Sequence, residues 1–278
     1  MKAAGLIAEN RYLLMRRGLQ ISILLLFIGA NRYGWKLLQG NLSTSKLMGA
    51  VYFADPFSLL QSAAAGAVVA LPALVGGLIV FSFFALAGGR MFCSWICPMN
   101  MVTDLANRVG RAIGSALPAD SLLSRKARYW TIVLSLLLSM LLGVAAFEWI
   151  SPVSMLHRGA IFGMAAGWSS VLAVFLFDLL VLRHGFCGHL CPLGGFYAVI
   201  GRYSLLRVRH VRSRCTLCME CVENCPEKQV LGIVGKRDGL VLSGECTNCA
   251  KCIEVCNERA MGFAARFASL SAQKDLPV

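Results

Sequence analysis

Charge is what this sequence has least of. Only 15% of its residues are Asp, Glu, Lys or Arg, where a soluble globular domain carries about 25%. A disordered chain is excluded as well, because 57% of the residues are hydrophobic. With a mean hydropathy of +0.66, the composition points to a polytopic membrane protein. Histidine is scarce: His157, His184, His189 and His210 are all there are. No two of them sit at matched depth in separate apolar segments, which argues against a bis-His haem b. No Cys-x-x-Cys-His occurs, so no c-type haem is attached. The 27 Lys and Arg outnumber the 14 Asp and Glu, yet no aromatic-plus-basic platform for nucleic acid is present, and position must explain the excess.

A membrane-crossing helix needs about 20 apolar residues. Three stretches qualify: Ala63–Ala87, Tyr129–Phe147 and Gly159–Leu182. A fourth lies near the start, where Leu19–Ala30 is apolar and Arg16-Arg17 precede it. That segment could be read as a signal peptide, but no small-x-small cleavage site follows. The sequence predicts an uncleaved span that continues to about Leu38, with Arg32 and Lys36 snorkelling beside Tyr33 and Trp35. Four spans put both termini on one side. Of the basic residues, 23 fall on that side and only Arg32, Lys36, Lys46 and Arg158 on the other. Lys and Arg stay cytoplasmic, so both termini are predicted to be cytoplasmic, and the charge excess needs no nucleic acid.

The chain also repeats itself. Phe92-Cys93-Ser94-Trp95-Ile96-Cys97-Pro98 aligns with Phe186-Cys187-Gly188-His189-Leu190-Cys191-Pro192. Upstream, Asp55-Pro56 aligns with Ser151-Pro152, each ahead of the span that leads into the cysteine motif. Two parallel repeats about an axis along the membrane normal fit this pattern. They would bring Cys93, Cys97, Cys187 and Cys191 together at the cytoplasmic face. If each motif is helical, its two sulfurs share one face. Four such thiols could hold a third cluster or another metal, form a redox disulfide, or stay reduced in a conformational element.

The other eight of the 12 Cys carry the strongest signal. Cys215, Cys218, Cys221 and Cys225-Pro226 make C-x2-C-x2-C-x3-C-P. Cys246, Cys249, Cys252 and Cys256 repeat the spacing, ending in Asn257. This is the bacterial two-cluster ferredoxin pattern, in which the fourth Cys of each run ligates the other cluster. It assigns Cys215, Cys218, Cys221 and Cys256 to one [4Fe–4S] cluster and Cys246, Cys249, Cys252 and Cys225 to a second. Structural zinc uses a single four-ligand set, and disulfides conflict with a reducing cytoplasm. Between the runs, glycines among β-branched residues predict a short strand-turn excursion. The expected organisation is a cytoplasmic segment 1–18, a four-helix membrane domain 19–204 bearing both Cys-x-x-x-Cys-Pro motifs, and a cytoplasmic α+β ferredoxin-type domain 205–278.

This combination resembles the NapH family, the membrane ferredoxin-type quinol dehydrogenase component of periplasmic nitrate reductase systems. The resemblance spans essentially the whole chain, and Phe92–Pro98, Phe186–Pro192 and Ser151–Gly159 are its specific parts. NosR-type, MauN-type and CcoG/RdxA-type proteins share the core. The first adds a flavin domain and the last a C-terminal domain; with 18 residues before Leu19 and 22 after Cys256, neither is expected here. The resemblance implies electron transfer from membrane quinol toward periplasmic nitrate reductase, in a bacterial inner membrane. Its implied partners are a periplasmic ferredoxin of NapG type, a tetrahaem cytochrome of NapC type, nitrate reductase subunits, or a cytoplasmic ferredoxin-like protein. A maturation factor for a respiratory metal centre and a membrane anchor for a soluble redox partner remain open.

Quinol oxidation releases two protons as well as two electrons and needs an acceptor near the interface. On the outer side Asp55 and His157 are the candidates, with Glu148, Trp149 and Arg158 nearby; capping helices is the alternative role. Asp178, in the fourth span, is either on a proton path or paired with Arg183 or Arg90. About 30 Å of hydrocarbon would separate cytoplasmic clusters from a periplasmic acceptor, too far for one tunnelling step.

Overall fold

The first expected span is one helix, α1 (Arg11–Tyr33), of 23 residues. In this computed structural model, which describes residues 10–114, 123–163 and 167–267, it starts before Leu19 and stops short of Leu38. Gly34 takes φ +71 and Lys36 lies outside the helix. The start of the N-terminal segment, part of the loop between the second and third expected spans, three residues of the fourth span and the end of the ferredoxin-type domain lie outside the described residues. An antiparallel meander then follows: β1 (Leu38–Gly40), β2 (Thr44–Leu47) and β3 (Val51–Ala54). Its register pairs Leu38 with Leu47 and Thr44 with Ala54. The sequence reading contained no strand here, because segments of three or four half-exposed residues are too short to show a period of two.

The remaining expected spans are shorter than predicted, each interrupted at a glycine. Ala63–Ala87 divides into α2 (Pro56–Ala64) and α3 (Leu71–Ala87), with Gly66 at φ +77 between them. After α4 (Met91–Trp95) and α5 (Met99–Ala112) comes α6 (Ala127–Leu142), which ends before the expected Phe147. Gly143 caps it in the left-handed region at φ 65, a conformation glycine enters without the β-carbon penalty. Next are α7 (Ala146–Ile150), α8 (Pro152–Phe162) and, beyond Gly163, α9 (Gly167–Leu180). Helices α3, α6 and α9 have 17, 16 and 14 residues. Among the described residues, α1 alone is long and apolar enough by itself to cross a membrane. A π-helix, Phe186–Leu190, leads into α10 (Pro192–Gly201). The rest is β4 (Leu206–His210), α11 (Glu220–Glu223), β5 (Gly239–Leu240), α12 (Lys251–Glu254) and β6 (Met261–Ala265).

The chain divides into two units. One takes residues 1–19, 84–96 and 197–278; the other takes 20–83 and 97–196. In the first, the sheet runs β5-β4-β6, antiparallel throughout, with Leu206 opposite Ala265 and Arg209 opposite Leu240. Its core is Val208, Leu231, Val234, Val241, Ile253 and Met261. The glycine-rich stretch between the cysteine runs supplies a 3-10 turn at Lys228–Leu231 and then β5, the excursion the sequence predicted. The start of α1 belongs to this unit too. Glu254 accepts the Leu13 N–H at 2.8 Å, placing a carboxylate at the positive end of the helix, and Tyr12 packs edge-on against Phe263.

In the second unit, α9 packs against α5 and α8, and α2 against α6. Two buried polar side chains tie the breaks together. Gln61 Oε1 accepts the Phe147 N–H at 2.9 Å, and Ser139 Oγ accepts the Ala146 N–H at 3.1 Å. The aligned Asp55-Pro56 and Ser151-Pro152 are both helix starts: each first residue caps with its side chain and each Pro opens the helix.

Candidate functional site

Two cavities in the first unit carry the chemistry. Cys215, Cys218, Cys221 and Cys256 line one, with His210 and Met261 among its other walls. Cys225, Cys246, Cys249 and Cys252 line the second, tighter one, together with Val208 and Leu231. Each cavity is therefore lined by three cysteines of one run and the last of the other. The runs bend around the cavities by the same device. Leu217 and Met219 flank Cys218 with φ 64 and 61; Asn248 and Ala250 flank Cys249 with φ 48 and 61. Non-glycine residues in this region are uncommon, and two matched pairs of them mark backbone held in strain at a functional loop.

Left as thiols, these sulfurs resist ionisation. Burial, then neighbouring sulfurs, pushes up Cys221, Cys225 and Cys252. Cys246 rises to about 11, chiefly by burial, with the backbone hydrogen bond at Asn248 and then Arg207 and Arg90 pulling it back down. Four crowded sulfurs in an apolar cavity favour the thiolate only when cationic iron is bound, so the donor set fits a cluster and couples its binding to proton release. Sulfurs arranged around a cavity also suit a polynuclear group better than one ion. Among the described residues, no three His, Cys, Asp or Glu side chains are placed to hold a single metal ion.

The loop of the second cavity is clasped by the segment that contains the first Cys-x-x-x-Cys-Pro motif. Arg90, 2% exposed, forms an ion pair with Glu227 and donates to the Glu245 carbonyl at 2.9 Å. Ser94 donates to the Thr247 carbonyl at 2.7 Å, and the Trp95 indole to that of Asn248 at 3.1 Å. Phe92 stacks on Tyr197 with centroids 4.9 Å apart. Sequence reasoning missed Arg90, Ser94 and Trp95, and it offered Asp178 as a partner for Arg90. Nothing in residues 90–95 names a partner some 150 positions away. His210 was also missed as a cavity wall; its Nδ1 lies 2.9 Å from the Arg237 carbonyl and its Nε2 accepts the Gly235 N–H.

The paired motifs differ from expectation in local form. In the first, α4 ends at Trp95, before Cys97; the second is a π-helix, so neither presents two sulfurs one α-turn apart. Cys93 belongs to the first unit, and Cys97, Cys187 and Cys191 belong to the second. Asp178, 1% exposed, accepts the Phe186 N–H at 3.0 Å and so fixes the start of the second motif.

On the opposite loops, Asp55 is engaged as the cap of α2 and accepts the Ser58 N–H at 2.9 Å. His157 is 1% exposed, packs edge-on against Phe27, and has no hydrogen-bond partner for either ring nitrogen. Burial, then the Arg158 charge, lowers its pKa to about 4. Glu148 gathers Ser43, Ser154 and Arg158 around one carboxylate oxygen.

Comparison with known proteins agrees with the geometry. A 4Fe-4S binding domain matches residues 69–116 and 161–214, the two halves of the internal repeat. A 4Fe-4S dicluster domain matches residues 207–257. The methylamine utilization ferredoxin-type protein MauN of Paracoccus denitrificans is 45% identical over 94% of this chain and 93% of its own length. The ferredoxin-type protein NapH of Haemophilus influenzae is 43% identical over 93% of this chain and 91% of its own. NapH of Escherichia coli is 42% identical over 80% and 77%. No solved structure matches. The chain is an iron–sulfur protein of electron transfer and belongs to the ferredoxin-type family that includes MauN and NapH.

Proposed function

We propose that the chain is the membrane subunit of a quinol-oxidising electron-transfer system, with two [4Fe–4S] clusters held in the interlocked sets assigned above. The observation that carries this is the pair of cavities, each walled by three cysteines of one run and the last of the other. Anaerobic purification with iron and sulfide analysis and EPR tests it: about eight irons per chain are expected, and a colourless, iron-free protein refutes it. The same measurement tests Cys93, Cys97, Cys187 and Cys191, since about twelve irons would mean a third cluster.

The proposed setting is the inner membrane, crossed by α1, α3, α6 and α9, with both termini and the ferredoxin-type domain cytoplasmic. Leu71, Leu74, Leu78 and Leu86 on α3, Trp130, Leu134 and Leu141 on α6, and Trp168, Leu172 and Leu180 on α9 are all exposed. Apolar area on that scale needs a cover, and lipid supplies it. Of the two quinol candidates His157 is favoured, because its neutral ring has both nitrogens unpartnered while Asp55 is occupied as a cap. Quinol-driven cluster reduction should fail in His157→Ala; an unchanged rate excludes the residue.

The electron acceptor proposed from the resemblance is the periplasmic nitrate reductase system, through a NapG-type ferredoxin or a NapC-type cytochrome. The 45% identity to MauN favours a second reading, service to a methylamine-utilising system. Deleting the gene separates them by which growth is lost, that on nitrate as acceptor or that on methylamine.

A further inference from the structure

Arg207 is a buried cation with no acidic partner among the described residues. Its side chain, 2% exposed, spends its hydrogen bonds on four neutral carbonyls: those of Gly201, Arg202, Ser204 and Ser243, at 2.5 to 3.2 Å. A buried charge is costly unless an opposite charge faces it. The Ser243 carbonyl shows where that charge would be, because it also accepts the Cys246 N–H, at 3.2 Å. One carbonyl oxygen thus joins the guanidinium to the first cysteine of the second cavity. Beside the first cavity a cation is held differently. There Arg212, half-buried, donates to the Cys215 carbonyl at 3.2 Å, and the Asp238 carboxylate accepts the Arg212 backbone N–H at 2.6 Å; solvent and that carboxylate screen its charge.

We propose that Arg207 tunes the reduction potential of the centre held by Cys225, Cys246, Cys249 and Cys252, and of that centre alone. This rests on the two-cluster reading. A centre bound by four thiolates is anionic, and one-electron reduction adds a further negative charge. A fixed positive charge beside it, in surroundings that screen poorly, stabilises the reduced form and raises the potential. Arg207 is a positioning residue in this sense: it holds a charge at a stated place and touches no substrate.

The test is an EPR-monitored redox titration of the full-length protein in detergent, with dithionite supplying electrons. In Arg207→Gln one of the two waves should fall, the reduced-to-oxidised ratio at fixed potential dropping about tenfold, or about 59 mV for a one-electron couple. The other wave should hold still. Arg207→Lys keeps the charge and should titrate as the native protein does. Ser243→Asp retains a side-chain acceptor for the Glu245 N–H, as Ser243 Oγ is now, and places a carboxylate beside the guanidinium. It should lower the same wave, and it decides the matter if Arg207→Gln loses iron. Both waves unmoved at native iron content, or a fall in Arg207→Lys equal to that in Arg207→Gln, overturns the proposal. Native protein with iron for a single cluster overturns the reading beneath it.

Discussion

Gly89 sits where three pieces of backbone meet. A β-carbon built on it has Gly201 Cα, Tyr197 O and Gly201 N no more than 2.5 Å away. These are main-chain atoms of α10, so no side chain can swing aside. Gly244, at the start of the Cys246 loop, meets the same helix as closely, at Ala198 O and Arg202 N. Replacing Gly89 by Ala must therefore push apart the segment that carries Arg90, Ser94 and Trp95 and the helix behind it. Overpacking costs about 1–3 kcal/mol, and rigid backbone on the far side puts this case near the top. At about 1.4 kcal/mol per tenfold, roughly 3 kcal/mol raises the open population of the clasp by about a hundredfold. The assay is chelator-driven bleaching of the anaerobic protein. One cluster should bleach much faster than in the native chain, leaving about four irons, while the cluster bound by Cys215, Cys218, Cys221 and Cys256 persists. Gly239→Ala, where nothing lies within 4 Å of the new carbon, should bleach like the native protein. Equal bleaching in all three would refute the role given to the clasp.

Three further outcomes are expected. In intact spheroplasts, Lys46 on the exposed β2 should react with a membrane-impermeant amine reagent; labelling only after lysis would invert the orientation. Asp55→Ala should lower thermal stability by about 1 kcal/mol through loss of the α2 cap, with Asp55→Asn near native, and both should keep quinol-driven reduction. His157 has a folded pKa of about 4 against an ordinary 6.5, so the unfolded chain takes up the proton first as pH falls. Its contribution to stability is full above about pH 6.5 and is lost between there and about pH 4, about 3 kcal/mol in all. Thermal melts of His157→Leu should show a flatter pH dependence over that window.

What the sequence made legible follows from how local each signal is. The cysteine runs are read directly because ligand spacing is a property of a few consecutive residues, and the crossing of Cys225 and Cys256 to opposite cavities comes with the pattern. Helix positions were legible from apolar runs, but helix ends were not. Gly66, Gly143 and Gly163 interrupt runs whose hydropathy continues across them, and a window average does not register one residue with positive φ. The β1–β3 meander left no period to find. Least legible were the charges around the second cavity: Arg90 meets Glu227, and Arg207 meets Ser243, only because α10 and the Cys246 loop close on each other through Gly201 and Gly244.

The two Cys-x-x-x-Cys-Pro motifs show how far a repeat in sequence departs from a repeat in use. Their cysteines align residue for residue, but the pair of residues between Cys93 and Ile96 is Ser94-Trp95, and its counterpart is Gly188-His189. Ser94 and Trp95 each carry one side-chain donor suited to a backbone carbonyl, and both are spent on the Thr247–Asn248 loop. Gly188 has no side chain to offer, and His189 is wholly buried within a π-helix whose start is fixed by Asp178. A π-turn carries one more residue than an α-turn and is frequent at functional sites. The two aligned motifs therefore differ in local form and in the residues they place between their cysteines. Exchanging Ser94-Trp95 for Gly-His should release the Cys246 loop and speed bleaching of its cluster, as in Gly89→Ala. Bleaching that is insensitive to the first exchange would mean that Arg90 alone holds the loop.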